Sequence, residues 1–511
     1  MPSSIKSIDK SVLEEVQMEN APTPSALDVE FGGTEARKKL ERKLLRKLDA
    51  RTSILIVIYI LNYIDRNNAS AARLRGFEKD LNLKGQEFNT LLSILYVGYI
   101  LMQIPSNMFL NYIGKPSIYL PICMMIWGMI SVLTGITTNF TGALLTRFFL
   151  GFVEAAFFPG SLFLLSKWYK RSELGLRTAV LSCGSLISNA FGSLIASGIL
   201  NGMEGKLGRA AWRWLFYIEG AMTIFVAMCA IFVLPDFPNT SSRFLTPDEA
   251  RLAVLRLEED VGISDSDDAT GKGTSGLVLA LTDWKIYWLA LALTNMVISL
   301  SFNAFFPTLS ATMGYSPTVT LLLCAPPWAF ATLVAFAVNR HSDYTGERFL
   351  HIAIPLFVGI IGFIIAIATM NTAARYVSLF LMAQSYAAFI CFLAWVSNSI
   401  ARPPSKRAVG IAFVNAFSQL GNIAGSYVWP KNWGPSYSNS YAICIATNGL
   451  CIIMCFVFRQ ALARENRKFA EKEQEQGKPK GFREMGSTSM YQGIWAVAKL
   501  FACPGSSIED R

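Results

Sequence analysis

The sequence has few charged side chains and almost no histidine. Of its 511 residues only 16% are charged, whereas 52% are hydrophobic, and the mean hydropathy is +0.37. This balance is typical of polytopic membrane proteins and excludes an ordinary soluble domain. The two histidines, His341 and His351, lie in or beside a polar loop. We therefore expect carboxylates, not histidines, to carry any proton through the membrane.

The sequence also lacks the motifs of several enzyme classes. Its nearest approach to a phosphate-binding loop is "DDATGKGT", which has neither the leading glycine nor a Ser or Thr directly after the lysine, so ATP hydrolysis is excluded. No metal-ligand cluster and no pairing of a nucleophile with a base stands out. We therefore expect no cofactor, no metal and no enzymatic activity. The first residues, "MPSSIKSIDKSVLEE", lack the apolar region of a cleavable signal peptide.

Long apolar runs recur along most of the chain. A helix needs roughly 20 apolar residues to cross a bilayer core. The candidate runs are residues 52–72, 89–110, 117–137, 140–165, 178–200, 213–234, 284–306, 318–338, 350–370, 375–398, 408–430 and 438–458. The sequence therefore predicts an all-α membrane protein with twelve transmembrane helices, here called spans 1 to 12.

The positive charge is concentrated in a few segments. A net charge of +10 in a soluble protein would indicate nucleic acid binding. Here the densest segments are "EARKKLERKLLRK", "KWYKRSELGLR" and "RQALARENRK", which fall on one side of the predicted bundle, although the outer loop "RLRGFEKDLNLKG" is an exception. The positive-inside rule places that side in the cytoplasm. We expect cytoplasmic termini, a plasma-membrane location and no nucleic acid partner.

Two sequons test this orientation. Asn139, in "NFT", falls in a predicted outer loop, and Asn239, in "NTS", falls in a predicted cytoplasmic segment. Because glycosylation takes place on the outer side, we predict modification at Asn139 alone.

A polar stretch divides the chain into two sets of six spans. Within it, "TPDEARLAVLRLEEDVG" predicts a helix capped by Thr246 and Glu249, followed by a Gly/Ser-rich acidic linker. The predicted organisation is an N-terminal tail (1–51), a six-helix half (52–234), a cytoplasmic linker (235–283), a second six-helix half (284–460) and a C-terminal tail (461–511).

Two polar loops recur at nearly the same offset. The loops "NYIGKPSIY" and "NRHSDYTGERF" place Gly114 and Gly346 232 residues apart (346 − 114). The loops "LRTAVLS" and "KRAVGIA" place Arg177 and Arg407 230 residues apart (407 − 177). The agreement favours a parallel duplication of one six-helix unit over coincidence.

Charged residues inside the predicted spans are concentrated in the first half. Asp65 and Arg66 lie in span 1, Arg147 and Glu154 in span 4, and Glu219 nearer one end of span 6. Each such charge costs about 2.5–3.5 kcal/mol at the bilayer centre, so we expect these groups to be paired, hydrated or both. A hydrated pocket indicates a transport pathway. The alternative is that the pairs Asp65–Arg147 and Arg66–Glu154 only join two helices.

The first-half charges have a neutral counterpart in the second half. We predict that the following residues bind substrate: Asn62, Arg66 and Arg147 in the first half, and Asn295, Gln384, Tyr386, Asn415, Gln419 and Asn422 in the second. Asn415, Gln419 and Asn422 share one helix face. Amides at this spacing also form hydrogen bonds between helices, which is the alternative interpretation. Burial disfavours a charged carboxylate and a nearby arginine favours it, so Asp65 and Glu154 are the predicted proton-coupling residues.

Several stretches resemble a known family. "NYIDRNNAS", "RFFLGFVEAAFFPGSLFLLSKWYKRSELGLR", "WRWLFYIEG" and "SKRAVGIAFVNAFSQLGNIAGSY" resemble the anion:cation symporter branch of the major facilitator superfamily, within it the fungal allantoate, nicotinate and pantothenate permeases. The resemblance implies the major facilitator fold and proton-coupled uptake of small organic anions by alternating access. It places the branch's membrane charges on Asp65, Arg66, Arg147 and Glu154. Gln103 replaces an acid that the branch often carries in span 2.

Three functions remain open at this point. The first is uptake of a carboxylate nutrient or vitamin with protons, by a functional monomer in the lipid bilayer. The second is export of a secondary metabolite or toxin, which the absence of a proline motif from span 5, "LSCGSLISNAFGSLIASG", disfavours. The third is a non-transporting nutrient sensor, which the short segment after Arg459 disfavours.

Overall fold

The computed structural model describes residues 31–238, 244–265, 276–400 and 404–475, and in these residues the regular structure is helical. The sequon at Asn239 lies outside them. The helices are α1 (Thr34–Thr52), α2 (Ile54–Arg73), α3 (Phe77–Asp80), α4 (Glu87–Ile113), α5 (Pro116–Thr134), α6 (Phe140–Glu154), α7 (Phe157–Ser166), α8 (Arg171–Gly202), α9 (Ala211–Val233), α10 (Pro247–Asp265), α11 (Gly276–Leu281), α12 (Trp284–Ser299), α13 (Phe302–Ala311), α14 (Pro317–Thr345), α15 (Phe349–Ala368), α16 (Thr372–Ala383), α17 (Tyr386–Ser399), α18 (Pro404–Ser426) and α19 (Ser438–Glu475).

The predicted all-α architecture with twelve spans is confirmed. Ten spans in the described residues are long and apolar enough to cross a membrane, and spans 4, 7 and 10 each consist of two consecutive helices, α6–α7, α12–α13 and α16–α17. The other two spans are α2 and α18, which are less apolar because charged and amide side chains interrupt them.

A proline accounts for the break in span 4. Pro159 has no N–H group to donate to the C=O of Ala155, so the helical ladder cannot continue unbroken through this point. Helix α6 ends at Glu154 and α7 begins at Phe157. The break falls directly after a buried acid.

The glycines of the repeated loops have the same structural role in the two halves. Gly114 ends α4 and Gly346 ends α14, each in the left-handed conformation with a φ of 67°. Glycine adopts this conformation without steric cost, which makes it the preferred residue after a helix end. The second helix of each half therefore ends in the same way, which supports the duplication.

The two halves are joined at one end of the bundle. We call this end, which carries Glu78 and Lys431, the opposite face, and the end where α1 and residues 459–468 lie the terminal face. Between the halves, Arg75 bonds Thr318 at 3.2 Å and Lys431 bonds Glu78 at 3.0 Å. Glu78 also pairs with Arg73 of its own half at 2.7 Å. At the terminal face the ion pairs between described residues, such as Lys285–Glu465, lie within one half.

The predicted linker helix is confirmed as α10 and packs against α1 at the terminal face. Thr246 and Glu249 form both bonds of the predicted capping box, with N···O distances of 3.0 and 3.3 Å. The Glu249 carboxylate also accepts from Lys47 of α1 at 2.6 Å. The buried Arg256 reaches Glu41 of α1 at 3.3 Å. The linker helix is therefore held to the first half by ion pairs.

Candidate functional site

A cavity of about 110 Å³ lies between the two halves. Spans 1, 2, 4 and 5 form one wall and spans 7, 10 and 11 the other. The polar and tyrosine side chains that line it are Tyr59, Tyr63, Arg66, Asn67, Tyr96, Tyr99, Ser182, Ser185, Ser301, Asn303, Tyr386, Asn415, Gln419, Asn422 and Ser426. The volume leaves room for several water molecules or a small organic ligand.

Arg66 is the charged side chain in this lining. Its Nε donates to Oε2 of Glu154 at 2.6 Å, and Glu154 is fully buried behind it with Oε1 unbonded. The guanidinium lies 5.2 Å from the ring centre of Tyr63 and 4.7 Å from that of Tyr99. The faces of both rings stabilise the positive charge of the guanidinium by cation–π interaction. The ion pair uses Nε, and the Arg66 side chain forms part of the cavity wall.

Close contact between spans 2 and 4 sets the position of Glu154. A Cβ atom on Gly151 would lie 1.9 Å from the C=O oxygen of Leu95, and one on Gly98 would lie 2.3 Å from that of Phe148. Only residues without a side chain permit this approach. The contact places Glu154, less than one turn beyond Gly151, against the wall of the cavity.

Arg147 points away from the cavity. Its Nη1 donates to the C=O groups of Asp65 and of the next residue, at 3.3 and 3.1 Å, and its Nη2 donates to Oδ1 of Asn68 at 2.6 Å. It does not line the cavity. Arg147 therefore joins span 4 to the backbone of span 1, and the structure does not bring its guanidinium to the Asp65 carboxylate.

The Asp65 carboxylate is also outside the cavity and is fully buried. Its Oδ1 accepts from Ser131 at 3.0 Å and its Oδ2 from Thr223 at 2.8 Å. Asp65 therefore joins span 1 to spans 3 and 6. Each of its two oxygens accepts a hydrogen bond from a protein hydroxyl group. The buried carboxylate therefore has hydrogen-bond partners without a ligand or a water molecule.

Three predicted binding residues also lie outside the cavity lining. Asn62 is buried, with a 1% exposed side chain. Asn295 donates to the C=O of Leu291 in its own helix at 2.9 Å. Gln384 donates to the C=O of Pro355 at 2.8 Å, which joins span 10 to span 9. The side-chain amides of Asn295 and Gln384 thus donate hydrogen bonds to backbone C=O groups. The spacing of these residues in the sequence did not reveal this role.

The amides of span 11 form the neutral wall of the cavity. Asn415, Gln419 and Asn422 line it, together with Tyr386 of span 10. Asn422 donates to Oε1 of Gln419 at 2.9 Å, so this pair is linked within the wall. The site therefore places one cation of the first half opposite amide groups of the second half.

Sequence reasoning identified Tyr386 but missed the four tyrosines of the first-half wall. Tyr59 and Tyr63 are four residues apart in span 1, and Tyr96 and Tyr99 three apart in span 2. Each pair therefore lies on one helix face. This spacing was the available signal, but buried tyrosine at helical spacing is also common in a packed core.

Comparison with known proteins gives consistent results. A sequence model described as the Major Facilitator Superfamily matches residues 55–426. The "MFS-type transporter cnsO" of Penicillium expansum is 32% identical, over 84% of this chain and 84% of that protein. The "Major facilitator-type transporter hxnP" of Emericella nidulans is 31% identical, over 86% and 88%. A "Putative tartrate transporter" of Agrobacterium vitis is 29% identical, over 78% and 90%.

The fold is also similar to solved transporters. The partially occluded inward open xylose transporter XylE of E. coli aligns with a TM-score of 0.64 at 15% identity, covering 81% of this chain and 98% of that one. A bacterial homologue of the human lysosomal transporter Spinster, in an inward-facing conformation, aligns with a TM-score of 0.59 at 17% identity, covering 80% and 95%.

Proposed function

Since the chain belongs to the Major Facilitator Superfamily and is a multi-pass membrane transporter, not an enzyme, we propose that it takes up a small organic anion together with protons. The proposal assigns it to the anion:cation symporter branch and its fungal allantoate, nicotinate and pantothenate group. It acts as a monomer in the plasma membrane, by alternating access, on a carboxylate nutrient or vitamin.

The observation that carries the proposal is Arg66. It is a cation on a cavity wall whose counter-ion, Glu154, lies behind it. An arginine presents paired N–H groups that match the two oxygens of a carboxylate. Asn415 and Asn422 on the facing wall supply neutral donors and acceptors for the rest of the ligand. The tartrate transporter named among the relatives gives independent support for an organic anion.

Glu154 supplies the coupling in this proposal. While ionised, Glu154 neutralises Arg66, so a bound anion would leave an uncompensated negative charge whose enclosure in a dry cavity is costly. When it takes a proton, Arg66 is released to the substrate anion and the pair of charges is restored. Asp65 is the second predicted proton carrier, but each of its oxygens already accepts a hydrogen bond, whereas Oε1 of Glu154 has no partner, which makes Glu154 the better candidate.

The proposed orientation places the terminal face in the cytoplasm, as the lysines and arginines of α1 favour. The halves are joined at the opposite face, so the conformation described is the inward-facing one. Asn139 then lies outside. It caps α6 by accepting from the N–H of Gly142 at 2.8 Å, close to the membrane. Loss of a glycosidase-sensitive mass shift in Asn139→Gln would support this orientation, and a shift that depends on Asn239 would overturn it.

Transport in proteoliposomes tests the function. The full chain is offered a panel of labelled tartrate, nicotinate, pantothenate, allantoate and xylose, with and without an inward proton gradient. We expect gradient-driven accumulation of at least one carboxylate and none of xylose. Glu154→Gln should abolish accumulation while counterflow exchange persists. Accumulation by Glu154→Gln equal to that of the wild type would refute the coupling role.

A further inference from the structure

A second cavity, of about 40 Å³, lies on the opposite-face side of the first. Helices α2 and α8 both run from the terminal face to the opposite face. The second cavity contacts Ser70 and Ser193 of these helices, beyond Arg66 and Ser185 in the first. Asn67 and Asn303 line both cavities and therefore separate them. At about 10–15 Å³ for each water molecule, the second cavity has room for about three.

Glu219 of span 6 lines this second cavity. Its side chain is 1% exposed, and its Oε2 has no hydrogen-bond partner. The neighbouring cation, Arg147, directs its terminal nitrogens to C=O groups of α2 and to Asn68. Glu219 is therefore a buried acid that no arginine holds directly, beside a space large enough for water. An ionised carboxylate in such a place is costly unless water or a proton reaches it.

The charged groups that face Glu219 are Asp65 of α2 and Arg147 of α6. Helix α5 and the part of α8 beyond Arg177 contain no charged residue. Asp65 disfavours a second negative charge beside it, and Arg147 favours one. Their effects oppose each other, and the burial of Glu219 adds a further cost to its charged form.

We propose that Glu219 is a further proton-binding site of the transport cycle, loaded from the opposite face. This inference rests on the proposed proton-coupled function and adds a site to it. A hydronium ion in the second cavity gives its proton to the Glu219 carboxylate; one O–H bond forms and water remains. The O–H bond breaks again when the proton passes across the layer of Asn67 and Asn303 towards Glu154. No electron is exchanged.

Infrared difference spectroscopy on the purified full chain in lipid tests the site without any substrate. Spectra taken in mildly acidic and alkaline buffers should contain a protonated-carboxyl band that Glu219→Gln removes and Glu219→Asp shifts. Glu154→Gln should remove a different band. Glu87→Gln, at a partly exposed acid of the opposite face, is the matched control and should leave both bands in place. Because Glu219→Asp keeps the acid, it tests the site even if Glu219→Gln folds poorly.

A transport measurement completes the test. Glu219→Gln should lose accumulation of the panel carboxylate driven by a proton gradient, while counterflow of the same compound is retained. If its carboxyl bands match those of the wild type, the proposal is overturned. If the wild type shows no proton-driven uptake but Glu219→Gln still removes a band, the proton site stands and the proposed function fails.

Discussion

At the scale of single residues, the two membrane arginines differ in what their donors contact. Arg66 faces the cavity and gives only Nε to Glu154, whereas Arg147 gives its terminal nitrogens to backbone and amide oxygens of span 1. One arginine thus forms part of the cavity wall, whereas the other joins two helices. Substitution of each by lysine should separate the two roles.

Arg66→Lys should weaken substrate binding by about tenfold or more, because lysine keeps the charge but not the planar pair of donors. The melting temperature in detergent should change little. The measurement is the concentration dependence of uptake of the panel carboxylate. Arg209→Lys, at an exposed arginine bonded to Tyr217, is the control. Unchanged affinity in Arg66→Lys would mean that Arg66 only joins helices.

Arg147→Lys should lower the free energy of unfolding by about 2–4 kcal/mol, because a single ammonium cannot reproduce the contacts to two C=O groups and Asn68. The melting temperature in detergent measures this loss. A variant as stable as the wild type but unable to bind the panel carboxylate would place Arg147 in the binding site instead.

The sequence revealed the charged residues of the site but not their partners. Their cost in a bilayer identified Asp65, Arg66, Arg147 and Glu154 without any structure. The groups that satisfy Asp65, however, are Ser131 and Thr223, 66 and 158 positions away along the chain. An uncharged hydroxyl group in a membrane helix costs far less than a charged group, so its presence in a span does not point to a functional role. The sequence alone therefore could not identify Ser131 and Thr223 as the partners of Asp65.

At the scale of helices, close contacts and breaks position the site. Pro159 in the sequence accounts for the break in span 4. Span 10 also breaks, between Ala383 and Tyr386, but no proline lies nearby. There Ser385 packs against Gly359 of span 9, where an added Cβ atom would lie 2.0 Å from its Oγ. A hydropathy profile does not report contacts between helices that are distant in sequence. The spans could therefore be predicted from the sequence, but their breaks could be predicted only in part.

Gly151→Ala should destabilise the fold by about 1–3 kcal/mol, because the new methyl group meets the Leu95 C=O in the contact between spans 2 and 4. Gly198→Ala in α8 is the matched control, since no atom lies within 4 Å of its added Cβ. That change should be neutral or slightly stabilising. Melting temperatures in detergent compare the two, and an equal effect of both would refute the steric argument.

The linker helix should detach at acid pH. Burial acts to raise the pKa of Glu249, but the bonds from Lys47 and Thr246 outweigh it and hold the pKa below its ordinary value. The stabilisation is therefore complete above the ordinary range of glutamate, about pH 4–5, and is lost as the pH falls through the lowered value. The protection of residues 247–258 against hydrogen exchange, taken relative to the intrinsic exchange rate at each pH, should fall there.

Glu249→Gln should accelerate the same exchange at neutral pH by removing the charge that Lys47 contacts. The exposed Glu258 on the same helix gives the control, and Glu258→Gln should leave exchange unchanged. Equal protection of α10 in both variants would show that the pair of Glu249 with Lys47 contributes nothing to docking.

At the scale of the whole molecule, ion pairs at the opposite face favour one of two conformations. Glu78 bonds both Arg73 and, across the halves, Lys431. Such partly exposed pairs are worth about 0–1 kcal/mol each, enough to shift a balance but not to lock it. Removing a single charge at this face should therefore change the fraction of molecules in which the face is closed.

Glu78→Gln should raise the population open at the opposite face by about two- to fivefold. The measurement is the rate at which an impermeant maleimide, added from that face, labels a cysteine introduced at Asn303 in the cavity. Glu87→Gln on the same face, whose bond is to the nearby Lys84 N–H, is the control. Equal labelling in both variants would mean that Glu78 does not hold the halves together.

The polarity of α2 and α18 has a consequence for how the protein is made. Span 1 is the first of the twelve to leave the ribosome, yet it carries Asp65 and Arg66, which disfavour its partition into lipid on its own. The groups that satisfy it, Ser131, Arg147, Glu154 and Thr223, emerge up to 158 residues later. The features that build the cavity thus bear on biogenesis: we expect span 1 to settle stably in the bilayer only after spans 3, 4 and 6 have been synthesised, while the second half is still being made.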